Sequence, residues 1–153
     1  MRTLSIPDRR RRAATLPELL VAIAIVALVS GFVLPALGNG FDRIQTHGAA
    51  QATLQAFFAA RANAIAQGRR TSVVIDRSRA RVLVVAGADT LMVRAIGSEH
   101  GVTLTASRDS MTFFADGLGL GGANLSVVLS RGRAADTVLV SREGRAKLGT
   151  RAR

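Results

Sequence analysis

Glu18 is the residue of this sequence with the clearest chemical demand. It stands at the head of a run of 19 uncharged residues, Leu19 to Leu37, and behind a block of four arginines, Arg9 to Arg12. A carboxylate at the edge of an apolar helix is costly unless a cation is brought to it, and its natural partner is an ammonium. No catalytic constellation accompanies it. His47 and His100 are isolated in the sequence, there is no cysteine and the acids do not cluster, so neither histidine has metal-ligand company and both read as surface residues. The string Gly117-Leu118-Gly119-Leu120-Gly121-Gly122 imitates a dinucleotide loop, but no helix pattern follows it and it reads as a glycine-rich turn. The serines lie in no nucleophile motif with an arranged base. The sequence therefore points away from an enzyme and calls for no cofactor and no metal.

A second chemical feature lies at the other end. From Arg131 to Arg153 there are seven basic residues against Asp136 and Glu143. Within that tail Arg142, Arg145, Lys147, Arg151 and Arg153 are the candidate phosphate-binding set; the plain alternative is a solvated strand end with a frayed terminus. No aromatic is interleaved for base stacking, so binding to nucleic acid would be electrostatic and blind to sequence. The whole chain carries 20 Arg and one Lys against ten acids, a net charge of +11. Such an excess suits nucleic acid, anionic lipid or an acidic partner and says nothing about fold.

The element that positions Glu18 is the apolar run itself. As an α-helix, 19 residues reach roughly 28 Å, about the thickness of a bilayer's hydrocarbon core. Twelve of them are Leu, Ile, Val or Phe, so insertion gains on the order of 4 to 7 kcal/mol against about 3 kcal/mol for one acid near the end. The first twelve residues hold five Arg and one Asp, a flank that stays in the cytoplasm and sends the remainder outward. Three simpler readings stand beside this one, of which a twin-arginine export signal has only the paired arginines in its favour. A cleaved secretory signal peptide could use Ala36-Leu37-Gly38 as its small-x-small site, and a plain single-pass anchor accounts for all but the position of Glu18.

The stretch Ala13-Ala14-Thr15-Leu16-Pro17-Glu18-Leu19-Leu20 resembles the processing site of type IV pilin-like precursors. The resemblance implies that a prepilin peptidase cuts between Ala13 and Ala14 and that the new amino terminus is methylated. It also implies that Glu18 pairs with the amino terminus of a neighbouring subunit during assembly. The family pattern carries Gly before the cut, Phe after it and an aliphatic residue before the acid, where this chain has Ala13, Ala14 and Pro17. Pro17 falls in the first helical turn, where its missing N–H has no intrahelical partner to lose, and Pro35 matches a helix-kinking proline of these subunits.

Beyond Gly38-Asn39-Gly40 the pattern becomes amphipathic. Phe41, Ile44, Gly48, Leu54, Phe58, Ala62 and Ile65 recur at three- and four-residue steps, with Gln45, Gln51, Gln55 and Gln67 on the other side, which predicts that the first set packs on a domain. Gly68 ends the helix with Arg69 and Arg70 as cations for its last turn, and the two halves make one helix of about 54 residues. The period then switches to two. Strands are expected at 72–76, 80–86, 90–96, 102–106, 111–115, 125–130 and 136–142, divided by Arg77-Ser78, Gly87-Ala88, the glycines 117–122 and Gly132. One long N-terminal helix followed by short antiparallel strands is an α+β arrangement.

This half is similar to the GspH/FimT group of minor pilins and pseudopilins. The residues that carry the likeness are Leu54, Ala60, Arg61, Ala64 and Ile65, Phe113-Phe114 with Asp116-Gly117, and Val140-Ser141 with Gly144-Arg145. The resemblance implies a pilin-like fold in four parts: a cleaved cytoplasmic leader, 1–13; a membrane-spanning helix half, 14–38; an amphipathic helix half, 39–68; and a β-rich periplasmic domain with a basic tail, 69–153. It further implies a minor pseudopilin of a type II secretion system in the bacterial inner membrane, incorporated into a periplasmic pseudopilus. Its partners would be other pseudopilins or pilins, the prepilin peptidase, the inner-membrane assembly platform and membrane lipid. A minor type IV pilin of the FimT/FimU kind is the alternative, serving pilus biogenesis or DNA uptake. DNA-uptake members carry a Gly-Arg-x-Arg element in this tail, where Lys147 here replaces the last Arg, keeping the charge and losing the planar fork. A membrane-anchored β-rich binding module is the third reading.

Overall fold

The computed structural model describes residues 15–120 and 124–149, with the side chains of 32–37 outside that description. Helix α1 runs from Leu16 to Gln67, 52 residues. Its start carries the acid half of a capping box: the Thr15 N–H donates to Glu18 Oε2 at 3.4 Å, and the Thr15 carbonyl accepts the Leu19 N–H at 3.1 Å. Pro17 sits second in the helix, where no N–H is needed. Gly68 ends it in the left-handed region, φ +59°, a conformation that glycine adopts without penalty. The cations expected in the last turn are not there. Arg69 lies past the Gly and pairs with Asp89, and Arg70 lies over the Phe114 ring.

The chain divides into two compact units, 1–37 and 38–153. In the first, the large apolar residues from Leu16 to Val29 are exposed. Among the described residues no helix is long and apolar enough to cross a membrane. The described side chains of the apolar run stop at Gly31, and the rest of the expected span, including Pro35, lies outside them.

The second unit places the C-terminal part of α1 with two antiparallel sheets. The first sheet contains β1 (Thr71–Asp76), β2 (Arg81–Ala86), β3 (Asp89–Arg94), β5 (Ser110–Phe113) and the two-residue β6 (Gly119–Leu120), in the order β3-β2-β1-β5-β6. The second contains β4 (Thr103–Ala106), β7 (Leu125–Arg131), β8 (Ala134–Val140) and β9 (Ala146–Leu148), in the order β4-β7-β8-β9. A short helix, α2 (Ile96–His100), links β3 to β4. The alternation expected from the sequence is visible strand by strand: Val73 and Ile75, Val82 and Val84, Val127 and Leu129, Val138 and Val140 all point into one core. The hairpin between β1 and β2 is closed by Asp76, which accepts from the Ser78 hydroxyl, the Arg81 guanidinium and the Arg79 N–H. Those donors hold its carboxyl well below the usual carboxylate range, the Ser78 hydroxyl contributing most.

Three expectations need correction. The face of α1 that packs is not the row of large apolar residues. Ala49, Ala50, Thr53, Ala56, Phe57, Ala60 and Ala64 are buried, together with Thr46, whereas Phe41, Ile44, Phe58, Ala62 and Ile65 are exposed and Gly48 and Leu54 half-buried. Small side chains let the helix backbone approach the sheets closely, and Phe57 is the one large side chain fully buried among them. The buried hydroxyls cost nothing unpaired, because Thr46 donates to the Asp42 carbonyl at 3.0 Å and Thr53 to the Ala49 carbonyl at 2.9 Å. Second, Ile96 opens a helix instead of ending a strand; its side chain is fully buried, and Gly101 in the left-handed region, φ +63°, stops the helix after five residues. Third, a strand missing from the expected set, Ala146–Leu148, pairs with β8 from Val138↔Leu148 to Val140↔Ala146.

Candidate assembly surface

Glu18 occupies the third position of α1 and is exposed. Its one hydrogen bond among the described residues, the long contact to the Thr15 N–H, leaves the second oxygen available. No cation of the described residues forms an ion pair with it. Ala13 and Ala14, on either side of the expected cut, lie outside the described residues.

Further along α1, the residues expected to face the domain make a stripe turned away from it. Ile44 is 69% exposed, Phe58 49% and Ile65 51%, with Ala62 exposed between them; Leu54 is the exception and packs half-buried against the core, and the inner side of Ile65 lies by the Gly117 turn. Their spacing places them on one side of the helix, and the Ala and Thr residues of the core occupy the other. A signal for this assignment exists in the sequence: 49, 53, 56, 60 and 64 recur at steps of three and four using only Ala and Thr.

Polar contacts fix which face is outward. Arg131 Nε donates to Asp42 Oδ1 at 2.9 Å and its Nη1 to the His100 carbonyl at 2.7 Å, while the same guanidinium lies 5.1 Å from the centre of the Phe41 ring. His100 Nδ1 is 3.1 Å from Gln45 Oε1, and His47 Nδ1 is 3.1 Å from the buried carboxylate of Asp136. Both histidines therefore join α1 to the elements beneath it and are not isolated surface residues. Sequence separations of 55 to 89 residues hid these pairs. Among the described residues no group of His, Asp and Glu could hold a metal ion.

A second joint gathers the residues that carried the GspH/FimT likeness. Arg61 Nε donates to the Gly117 carbonyl at 3.0 Å, tying α1 to the turn after β5. That turn is closed by the Gly117 N–H on the Phe114 carbonyl at 2.9 Å and by the Leu118 N–H on Asp116 Oδ1 at 2.9 Å. Gly144, φ +78°, is seated on the Gly117 carbonyl oxygen and beside the Phe113 ring, where a Cβ would overlap the oxygen and press on the ring. Its own turn is closed by the Gly144 N–H on Ser141 O and the Ser141 N–H on Arg145 O, each 2.9 Å. The Gly119 N–H reaches the Arg142 carbonyl at 3.1 Å, so helix, first sheet and second sheet meet within a few residues. The glycine string read as a turn thus contains β6, and its last two residues, 121 and 122, lie outside the described part.

Of the candidate phosphate-binding residues, Arg142, Arg145 and Lys147 are exposed, and none forms an ion pair among the described residues. Arg145 and Lys147 line a cavity of about 360 Å³ with Asn124, Leu139, Val140, Ser141 and Glu143. Arg151 and Arg153 lie outside the described residues.

The family model described as Type II transport protein GspH matches residues 49–144, and the Prokaryotic N-terminal methylation motif matches residues 8–34. The chain belongs to the GspH family. The fold of this GspH-family chain is also that of solved pilin-like proteins. The type IV minor pilin FimU of Pseudomonas aeruginosa PAO1 superposes with a TM-score of 0.61 at 18% identity, over 71% of this chain and 90% of FimU. The minor pseudopilin EpsH of the Vibrio cholerae Type 2 Secretion System superposes with 0.54 at 15% identity, over 68% of this chain and 95% of EpsH. At such identities the likeness speaks for fold alone. No curated protein matches the chain in sequence.

Proposed function

We propose that this GspH-family chain is a minor pseudopilin of a type II protein secretion system, acting by assembly and not by catalysis. The observation that carries the proposal is the uncovered stripe of Ile44, Phe58 and Ile65 on a helix whose opposite face is already sealed against its own domain. A monomer gains nothing from holding three large apolar side chains in water, whereas a helix bundle formed with other subunits removes them from it. In this reading residues 19–37 span the inner membrane with the arginine-rich leader in the cytoplasm and the β-rich domain in the periplasm. Glu18, with an oxygen to spare, receives the amino terminus of a neighbouring subunit. The leader is removed first, on the cytoplasmic side, by a prepilin peptidase.

Processing tests the reading directly. Co-expression with a prepilin peptidase is expected to remove thirteen residues and leave Ala14 as a methylated amino terminus, read from the intact mass. A mature start near Asn39 would instead assign the apolar run to a secretory signal peptide.

The second reading, a minor type IV pilin engaged in DNA uptake, is favoured by the exposed and unpaired Arg142, Arg145 and Lys147. Should these three contact duplex phosphates, log affinity falls against log salt with a slope of about −3. Binding of random duplex by the parent and by the triple alanine variant, measured across a salt series, decides the matter. Steep binding lost in the variant favours DNA uptake, and equal, weak binding leaves the secretion reading in place.

A further inference from the structure

A cavity of about 230 Å³ lies where the turn between β7 and β8 meets α1, lined by Asn39, Asp42, Arg43, Arg133 and Ala134. The turn is short, Arg131 pairing with Ala134 across it, and Gly132 supplies the positive φ, +54°, that a two-residue loop needs. Gly132 sits against the Asp42 carboxylate, leaving no room for a side chain there. This brings Arg133 beside Arg43. The carboxylate of Asp42, which also lines the cavity, is paired with Arg131, and the two exposed arginines of the lining form no ion pair with it. Elsewhere in the domain Arg69, Arg77, Arg79, Arg81, Arg94 and Arg131 each form an ion pair with an acid, whereas Arg61, Arg70, Arg142 and Arg145 form none among the described residues. Arg43 and Arg133 form none among the described residues, and they converge on one polar cavity.

We propose that this cavity binds the phosphate of an anionic phospholipid headgroup. Planar guanidinium groups match the oxygens of a phosphate in pairs, and the Asn39 amide adds a donor. The same chemistry would accept a free phosphate ion, but position in the chain favours lipid. Asn39 is the second residue after Leu37, the last of the uncharged run, and Arg43 follows one helical turn later. At that distance from a membrane span the phosphates of the headgroup layer are the anions at hand. Cations on this flank oppose the orientation set by the leader, and a bound lipid phosphate offsets that cost. The inference rests on the reading of 19–37 as a membrane span.

Full-length protein in neutral detergent, offered equal amounts of phosphatidylglycerol and phosphatidylcholine, is examined by native mass spectrometry. The parent retains phosphatidylglycerol preferentially, and Arg43→Gln/Arg133→Gln lowers that preference about 25-fold, roughly fivefold for each arginine. The control Arg69→Gln/Arg79→Gln removes the same charge from exposed positions elsewhere and keeps the preference. Equal retention by parent and double variant, or an equal loss in the control, overturns the site. Bound phosphatidylglycerol that excess inorganic phosphate strips away reassigns the cavity to free phosphate and overturns the lipid. Reconstituted vesicles of the same lipids, washed with alkaline carbonate, separate this from the anchor reading. A chain released by carbonate removes that reading and the inference with it; a chain that stays inserted but shows no lipid preference sinks the cavity alone.

Discussion

Changing Ile44 and Phe58 together to glutamate is expected to abolish incorporation into filaments and secretion while the protein still folds. Both side chains lie on the outward stripe, so the domain loses little burial, and glutamate is a better helix former than either residue it replaces. Unfolding free energy should change by less than about 1 kcal/mol. In an assembled bundle the same two positions matter far more. Completing the burial of the two half- or more-exposed side chains contributes about 2 to 3 kcal/mol, a factor of roughly 30 to 150 in association, and a carboxylate in their place adds an uncompensated charge to an apolar contact. The check is a pair of measurements on one variant: a denaturant melt, and complementation of a deletion strain with recovery of the subunit in the sheared filament fraction. Assembly at the parental level, with the fold intact, would refute the role given to the stripe.

Gly144→Ala should bring the largest loss of stability from a single methyl group. Two terms add. A residue other than glycine at φ +78° costs about 1 to 2 kcal/mol, and the new Cβ would overlap the Gly117 carbonyl oxygen, a backbone atom that cannot turn aside. Opening the two turns also disturbs the bond from Arg61 to that carbonyl and the contact with Phe113, so a total above about 3 kcal/mol is expected, a large share of the 5 to 15 kcal/mol that holds a typical domain. Gly68→Ala is the internal comparison. Gly68 has a similar positive φ, +59°, with nothing within 4 Å of the added atom, so only the backbone term applies. Urea midpoints of the two variants measure the difference between them, and equal midpoints would mean that the joint of helix and sheets is looser than its geometry.

Local order was legible in the residues themselves. The carboxylate after an arginine block, the apolar run, the helix stop at Gly68 and the two-residue period of Val73-Val74-Ile75 or Val138-Leu139-Val140 each depend on neighbours a few positions apart, and backbone preference and solvent act on them wherever the chain goes. Tertiary structure decided whatever required two distant segments to meet. Which face of α1 is buried turned on how closely the helix backbone could approach two sheets. That geometry selects Ala49, Thr53, Ala56, Ala60 and Ala64 by their small size and leaves Ile44, Phe58 and Ile65, the stronger hydrophobic signal, in the open. The seating of Gly144 on Gly117 and the grip of Arg131 on Asp42 likewise join residues whose meaning in sequence is only a glycine or a charge. Charge and glycine say that a partner or a turn is needed; only the folded chain supplies which one, because the contact is made across 27 to 89 residues of intervening sequence.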